Sequence, residues 1–309
     1  MFKLLNFIVI LLQYRMFKNI NPSLALIYST ILWGTWWYPL RLLDEYALNN
    51  AIPLALSFLI GGFFVLYFAL KEKISFSKRN LYLTLIAGIL GGVAMCLYNE
   101  GIMRGSVARV LIFFYLTAVW STMIEVFFLS KKLTIYRSLA ITSGFIGLYI
   151  INGDSAFGLI PSSVADMCGL LAGISWSVCA TFLRINDEVS VKLVTAICIL
   201  SGAICVVIAS FFPEGQTLAG FSLSVLNDSY LLIILFSFVW IVPAYYLTCY
   251  GSDQVDPGKA GILMMLEVVI GISSAYLVAN ELITTKEAIG GIFILFAPLT
   301  ELFVKKKEY

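Results

Sequence analysis

Histidine is absent from the 309-residue sequence. That removes the side chain most often used as a general base and as a metal ligand near neutral pH, which excludes histidine-based hydrolytic and zinc chemistry. Charge is scarce as well. Asp, Glu, Lys and Arg make up 12% of the residues, where soluble domains carry about 25%. Six cysteines (Cys96, Cys168, Cys179, Cys198, Cys205 and Cys249) lie within or beside apolar runs and form no CxxC pair. They read as small apolar packing residues rather than as disulfides or metal ligands. No GxxxxGKS/T phosphate loop occurs, so nucleotide hydrolysis is not the expected energy source. No cofactor, metal or nucleic-acid partner is expected.

What the chain has instead is apolar residues, 61% of the total. No water-filled surroundings suit such a surface, so the bilayer is its expected partner and solvent. A bilayer core is crossed by about 20 helical residues, and ten apolar runs of that order are present: 22–42, 51–70, 81–102, 107–129, 136–152, 163–184, 190–211, 229–250, 257–279 and 285–304, numbered here as spans 1 to 10. The expected fold class is therefore an all-α polytopic membrane protein with ten transmembrane helices. Pro39, Pro243 and Pro298 fall within or near span ends, where membrane helices tolerate kinks. The longest connection, "FPEGQTLAGFSLSVLND", is too short for a separate soluble domain. Residues 1–15 read either as a misassigned start or as a short surface helix, and no function is assigned to them.

Basic residues orient the spans, because Lys and Arg accumulate on the cytoplasmic side. With the N-terminus inside, 16 of the 20 basic residues are cytoplasmic, including Lys71, Lys131, Arg137, Arg184, Lys192, Lys259 and the Lys305–Lys307 tail. Only Arg41, Arg104, Arg109 and Lys286 remain outside. Both termini are expected in the cytoplasm, with the chain in a bacterial cytoplasmic (inner) membrane.

The chain also repeats itself. "ILWGTWWYPLR" (31–41) and "ISWSVCATFLR" (174–184) share Ile, Trp, Leu and Arg at matching places, 143 residues apart. At an offset of 150, Gly101 matches Gly251, Arg109 matches Lys259, Leu116 matches Leu266 and Thr134 matches Thr284. Spans 1–5 thus correspond to spans 6–10. Because five is odd, the second half must run upside down in the membrane, and inverted repeats are a signature of secondary transporters with a midplane site. The expected organisation is an N-terminal segment 1–21, a first repeat 22–152, an inverted second repeat 163–304 and a basic tail 305–309.

This 5+5 layout, the Trp near the middle of spans 1 and 6, and "LITTKEAIGGIFILFAPLTELF" in span 10 resemble the drug/metabolite transporter superfamily, in its EamA-type branch of ten-helix exporters. "MMLEVVIGISSAYLVANELIT" (264–284) is similar to that family's ninth helix, which ends in a Glu, here Glu281. Two departures stand out. Lys131 occupies the first-half place where the family tends to carry Glu. Ala118 and Val268 stand near the positions where members often have proline, so no helix kink is expected in spans 4 and 9.

Polar groups within spans are the candidate site. Glu267 lies eleven residues into span 9, and a mid-bilayer charge costs about 2.5–3.5 kcal/mol on insertion scales, which makes such residues functional by default. Removal from water penalises the charged form of a carboxyl, so Glu267 is the candidate for proton coupling or for pairing with an amine; a purely structural hydrogen bond is the alternative. Gly271 follows one turn later and Ser274 shares the stripe. Thr117, Ser121 and Glu125 form a comparable stripe in span 4, and Glu125 is a second coupling candidate. Trp33 and its counterpart Trp176 lie too deep for an interfacial belt. With Trp37, Tyr98, Asn99, Tyr115, Tyr245 and Tyr246 they supply amphipathic rings and polar tips for a substrate. Arg41 and Arg184 end their spans and read as headgroup anchors, while Arg109 opens span 4, where a cation opposes the helix dipole and needs a carboxylate partner; Glu100 is the candidate.

The expected function is a secondary transporter, an exporter of small organic metabolites such as amino acids or related amphipathic compounds. It would work by alternating access with proton coupling, and a monomer suffices for transport. Uptake or exchange of a nucleotide- or cofactor-like metabolite is the alternative, and an intramembrane enzyme is the least supported. The inverted topology has a direct test. Single cysteines placed in the 152–162 and 184–192 connections should react with an impermeant thiol reagent from opposite sides of the membrane; labelling from one side rules out the ten-span arrangement.

Overall fold

The computed structural model describes residues 20–72, 77–130, 132–152, 161–186, 190–212, 216–218, 222–255, 260 and 263–300. Residues 1–15, the basic residues Lys131 and Lys259, and the 305–309 tail lie outside the described residues. The described chain is helical: α1 (Pro22–Gly34), α2 (Trp37–Tyr46), α3 (Ala51–Leu70), α4 (Lys78–Arg104), α5 (Val107–Phe114), α6 (Thr117–Phe127), α7 (Ile135–Asn152), α8 (Val164–Arg184), α9 (Val191–Ala209), α10 (Leu223–Leu235), α11 (Val242–Gln254), α12 (Leu266–Ala279) and α13 (Thr285–Thr300). A π-helical segment, Phe236–Ile241, joins α10 to α11. Six stretches are long and apolar enough to cross a membrane, namely α3, α4, α5–α6, α8, α9 and α10–α11; α7 and α12 are shorter apolar helices.

Local chemistry sets many helix starts. Side chains of Asn21, Asn50, Ser77, Ser163, Ser190 and Ser222 accept from a backbone N–H in the first turn of α1, α3, α4, α8, α9 and α10, satisfying donors that the helix itself leaves open. Thr284 and Glu287 form a reciprocal capping box at α13, with N–H contacts of 2.8 and 3.2 Å. Asn280 ends α12 in the left-handed region at φ 54°, and Ser130, exactly 150 residues earlier, has φ 53° after α6.

The long helices pack in pairs that respect the repeat. α4 lies along α8, and α11 along α1; α3 lies along α9, and α7 along α13. Exchanging the two halves turns the first pair into the second and returns each of the others to itself. Where α7 crosses α13, glycine permits the contact. A Cβ on Gly147 would stand 2.5 Å from the Gly290 carbonyl oxygen, and one on Gly290 would stand 2.7 Å from that of Gly147.

Spans 1, 4 and 9 are interrupted. Breaks occur at Thr35–Trp36, at Tyr115–Leu116 and at Met265. The last two are counterparts at the offset of 150. The expectation that spans 4 and 9 would be straight without proline is therefore corrected. Loosened backbone needs hydrogen-bond partners inside a membrane, and polar side chains from neighbouring helices provide them in place of a proline-driven kink. Thr117 Oγ1 donates to the Phe114 carbonyl at 2.6 Å, and Ser177 Oγ of α8 donates to the Thr117 carbonyl at 3.0 Å. The Tyr115 hydroxyl bonds the Met264 carbonyl. At the first break, Ser274 of α12 donates to the Gly34 carbonyl at 3.2 Å, and Trp240 Nε1 donates to Thr35 Oγ1 at 3.2 Å. In span 8, Pro243 has no N–H to give, and the π-helical segment ends immediately before Val242–Pro243.

The crossing of α7 and α13 yields a stability prediction. Gly147→Ala places a methyl against backbone rather than against a movable side chain, and overpacking of this kind costs on the order of 1–3 kcal/mol. A clear drop in thermal midpoint should appear in detergent, measured against Gly→Ala at a lipid-facing site. An unchanged midpoint would show that the helices are not this close.

Candidate functional site

The interruption at Met265 changes the setting of Glu267. In the sequence it stands deep within a continuous span; in the structure it occupies the first turn of α12. The partial positive charge of that helix end offsets part of the cost of burying a carboxylate. Glu267 is 3% exposed. The Tyr98 hydroxyl, from α4, lies 3.0 Å from Oε1, and the Tyr115 hydroxyl, at the α5–α6 break, lies 3.0 Å from Oε2. Tyr115 also bonds the Met264 carbonyl. One phenolic proton makes only one full-strength bond at a time, so this cluster has a place for one further proton on the Glu267 side.

Glu267 borders a small chamber of about 20 Å³, lined by Trp33, Met95, Tyr98, Phe114, Trp176, Thr248 and Met264 as well. That is room for a group of about the size of water. Its walls come from α1, α4, α5, α8 and α11 and from the residues just before α12. Trp33 is fixed by a 2.8 Å hydrogen bond from Nε1 to Thr248 Oγ1, by stacking on Trp36 at 4.6 Å and by an edge contact with Tyr245 at 5.1 Å. Trp176, Thr248 and Met264 also line a second cavity of about 420 Å³, whose walls include Leu183, Arg184, Asn186, Val194 and Asp253. Those three residues form the partition between a water-sized inner chamber and a larger vestibule at the Arg184 end.

The remaining buried carboxylates are ion-paired. Glu100 holds Arg104 at 2.7 Å, Asp166 and Glu287 hold Arg109 at 2.6 and 3.3 Å, and Glu125 holds Arg137 at 3.0 Å together with Arg184. Glu267 alone among these buried acids has no basic partner among the described residues. Two sequence expectations are corrected here. Arg109 is served by Asp166 and Glu287 and not by Glu100, because the N-terminal turns of α8 and α13 converge on it while Glu100 pairs one turn along its own helix. Arg41 and Arg184 are bound to carboxylates rather than left as headgroup anchors. Arg41 contacts Glu281 at 2.6 Å and the carbonyls of Ile102 and Gly105 at 3.0 and 2.8 Å, and Glu281 Oε2 accepts from the Val107 N–H at 2.8 Å. This ties α2, the end of α4, the start of α5 and the end of α12 together at the end of the molecule opposite the vestibule.

Of the residues singled out in the sequence, Trp33, Tyr98, Trp176 and Glu267 line the chamber, and Tyr115 reaches Glu267. The others stand elsewhere. Trp37 donates to Ser274 and lies under Arg41; Asn99 accepts from Trp36 at 2.8 Å; Tyr245 packs behind Trp33 and Trp36; Tyr246 stacks on Tyr250. Gly271 lies against Leu111 and Gly34, so the small stripe of α12 is a packing face toward α1. Thr117 caps the break in span 4, Ser121 is half-buried beyond it, and Glu125 sits in its own ion-paired cluster, remote from the chamber lining. Met95, Phe114, Thr248 and Met264 are chamber residues the sequence reading missed. Phe114 and Met264 are repeat counterparts, so aligning the two breaks would have exposed both.

Comparison with known proteins gives a consistent result. The model of the EamA-like transporter family matches residues 20–153 and again residues 163–299. The chain is 24% identical over 289 residues to YoaV of Bacillus subtilis, an uncharacterized transporter, covering 89% of this chain and 94% of that one. It is 22% identical over 257 residues to a probable amino-acid metabolite efflux pump of Escherichia coli, covering 80% and 85%. One solved crystal structure shares the fold at 16% identity, with a TM-score of 0.59 over 93% of this chain and 99% of the other.

The tie at Arg41 can be tested. In a background with the six cysteines replaced, Glu281→Gln or Arg41→Gln should raise, severalfold, the rate at which Thr248→Cys reacts with an impermeant thiol reagent added from the Arg41 side. An unchanged rate would show that the pair does not close that end.

Proposed function

The chain belongs to the EamA-like transporter family, is an integral membrane transporter rather than an enzyme, and on that premise we propose that it is a secondary active exporter with its substrate chamber at Glu267. The observation that carries this reading is a buried carboxyl without a basic partner among the described residues, placed between phenolic hydroxyls on the wall of a chamber next to a larger vestibule. A charge so placed needs a transient partner, and a transporter supplies one in the form of a proton or its substrate.

Ten spans in two inverted five-helix repeats, with both termini cytoplasmic, form the frame. The vestibule end carries Arg184 and Lys192, which the charge asymmetry puts on the cytoplasmic side of a bacterial inner membrane. In this arrangement the chamber is loaded from the cytoplasm while the Arg41–Glu281 tie holds the other end, and rocking of the halves exchanges the two conditions. Glu267 alternates between protonated and deprotonated forms, and the proton place beside Tyr115 supports that role. Small amphipathic organic metabolites of the amino-acid or related amine class suit the aromatic walls. The E. coli relative's description as an amino-acid metabolite efflux pump supports this range. A nucleotide- or cofactor-like anion fits less well, because among the described residues a carboxyl and no cationic side chain lines the chamber.

In proteoliposomes assayed with radiolabelled phenylalanine and phenethylamine, Glu267→Gln should lower flux at least tenfold and flatten its dependence on pH, with insertion and monodispersity unchanged. Wild-type flux with an unaltered pH response would remove Glu267 from the mechanism.

A further inference from the structure

We infer that the chamber's ligand is a primary amine with an apolar body and no carboxylate beside its nitrogen; this rests on the reading of the Glu267 chamber as the substrate site. The argument begins with which charges are already answered. Glu100, Glu125, Asp166 and Glu287 each have an arginine, and Glu281 has Arg41. Among the described residues Glu267 has only neutral hydroxyls as partners. A ligand ammonium is the group that completes the set.

The chamber's shape and walls narrow the class. About 20 Å³ is room for a group of the size of –NH3. Trp33, Tyr98, Phe114 and Trp176 surround the space, and aromatic rings attract a cation through their faces. Among the described residues no lysine or arginine lines it. An α-amino acid carries its carboxylate one carbon away from its ammonium, so that carboxylate would enter the same space beside Glu267, with no cation among the described residues to receive it. Arg184, the basic residue of the vestibule wall, is occupied by Glu125. Like charges in a site shielded from water repel strongly, which makes the neighbouring carboxylate a discriminating feature. The rest of the molecule extends past Trp176, Thr248 and Met264 toward Ala180, Leu183 and Val194 in the vestibule, a surface suited to an aromatic or aliphatic chain.

Binding to the purified full-length protein in nanodiscs tests this with four probes: phenethylamine, phenylalanine, 3-phenylpropionate and phenethyltrimethylammonium. Calorimetry should show phenethylamine binding at least tenfold tighter than each of the other three, and Glu267→Gln should abolish that preference while Glu267→Asp retains part of it. Phenylalanine binding as tightly as the amine would overturn the exclusion of a carboxylate, and equal binding of the quaternary analogue would overturn the size limit. If phenylalanine is preferred and Glu267→Gln abolishes its binding, the chamber stands and only the ligand class fails. Ligand binding that is indifferent to Glu267→Gln defeats the chamber reading itself, and no binding of any probe at millimolar concentration counts against both.

Discussion

Backbone polar groups inside a bilayer have no water to turn to, and this constraint organises the molecule around its three helix interruptions. Each break receives a hydrogen bond from a residue distant in the chain, and Thr117 adds one from within its own span: Ser274 reaches Gly34, Ser177 reaches Thr117, and Tyr115 reaches Met264. The first and third of these link one half of the sequence to the other, as does the second. Hydrogen bonds that would be minor in a soluble protein thereby fix the relative placement of α1, α5, α6, α8 and α12. The chamber lies among these elements because it is where they are forced to meet.

Much of the frame was legible in the residues. Apolar length marked the spans, and serine or asparagine before an apolar run marked the starts. The repeat offset held at the level of backbone geometry: Ser130 and Asn280 share a left-handed conformation, and Tyr115–Leu116 and Met265 share a break. Glu267 stood out because an acid in an apolar run is expensive. What remained hidden was any feature that depends on a partner distant in sequence. No proline announces the breaks in spans 4 and 9, since side chains supplied by other helices stabilise them. Asn99, Tyr245 and Gly271 had the composition of site residues and lie beside the chamber lining rather than in it, and Thr248 and Met95 carried no local signal at all. Arg109 found Asp166 and Glu287 because helices far apart in the chain begin at the same point in space.

Asymmetry within the repeat carries the chemistry. The counterpart of Glu267 at the offset of 150 is Thr117. Both follow an interruption; the threonine closes its own break with a hydroxyl, while the glutamate faces the chamber. A duplicated frame thus holds a hydroxyl that closes its own break on one side and an acid that lines a cavity on the other. The aromatic support is likewise unequal, with Trp33 held by Thr248 and Tyr245 and backed by Trp36.

The Arg41–Glu281 contact has a counterpart that can be written down from the repeat alone. Arg41 corresponds to Arg184, and Glu281 corresponds to Lys131. Where Arg41 has Glu281, the repeat writes Lys131 for the glutamate, and Arg184 takes Glu125 instead. A frame built from two equivalent halves has in principle no preferred direction, as a hinge without a spring has none. Here a lysine at one position and a glutamate at its double make the two halves of the sequence unequal in charge at matching places.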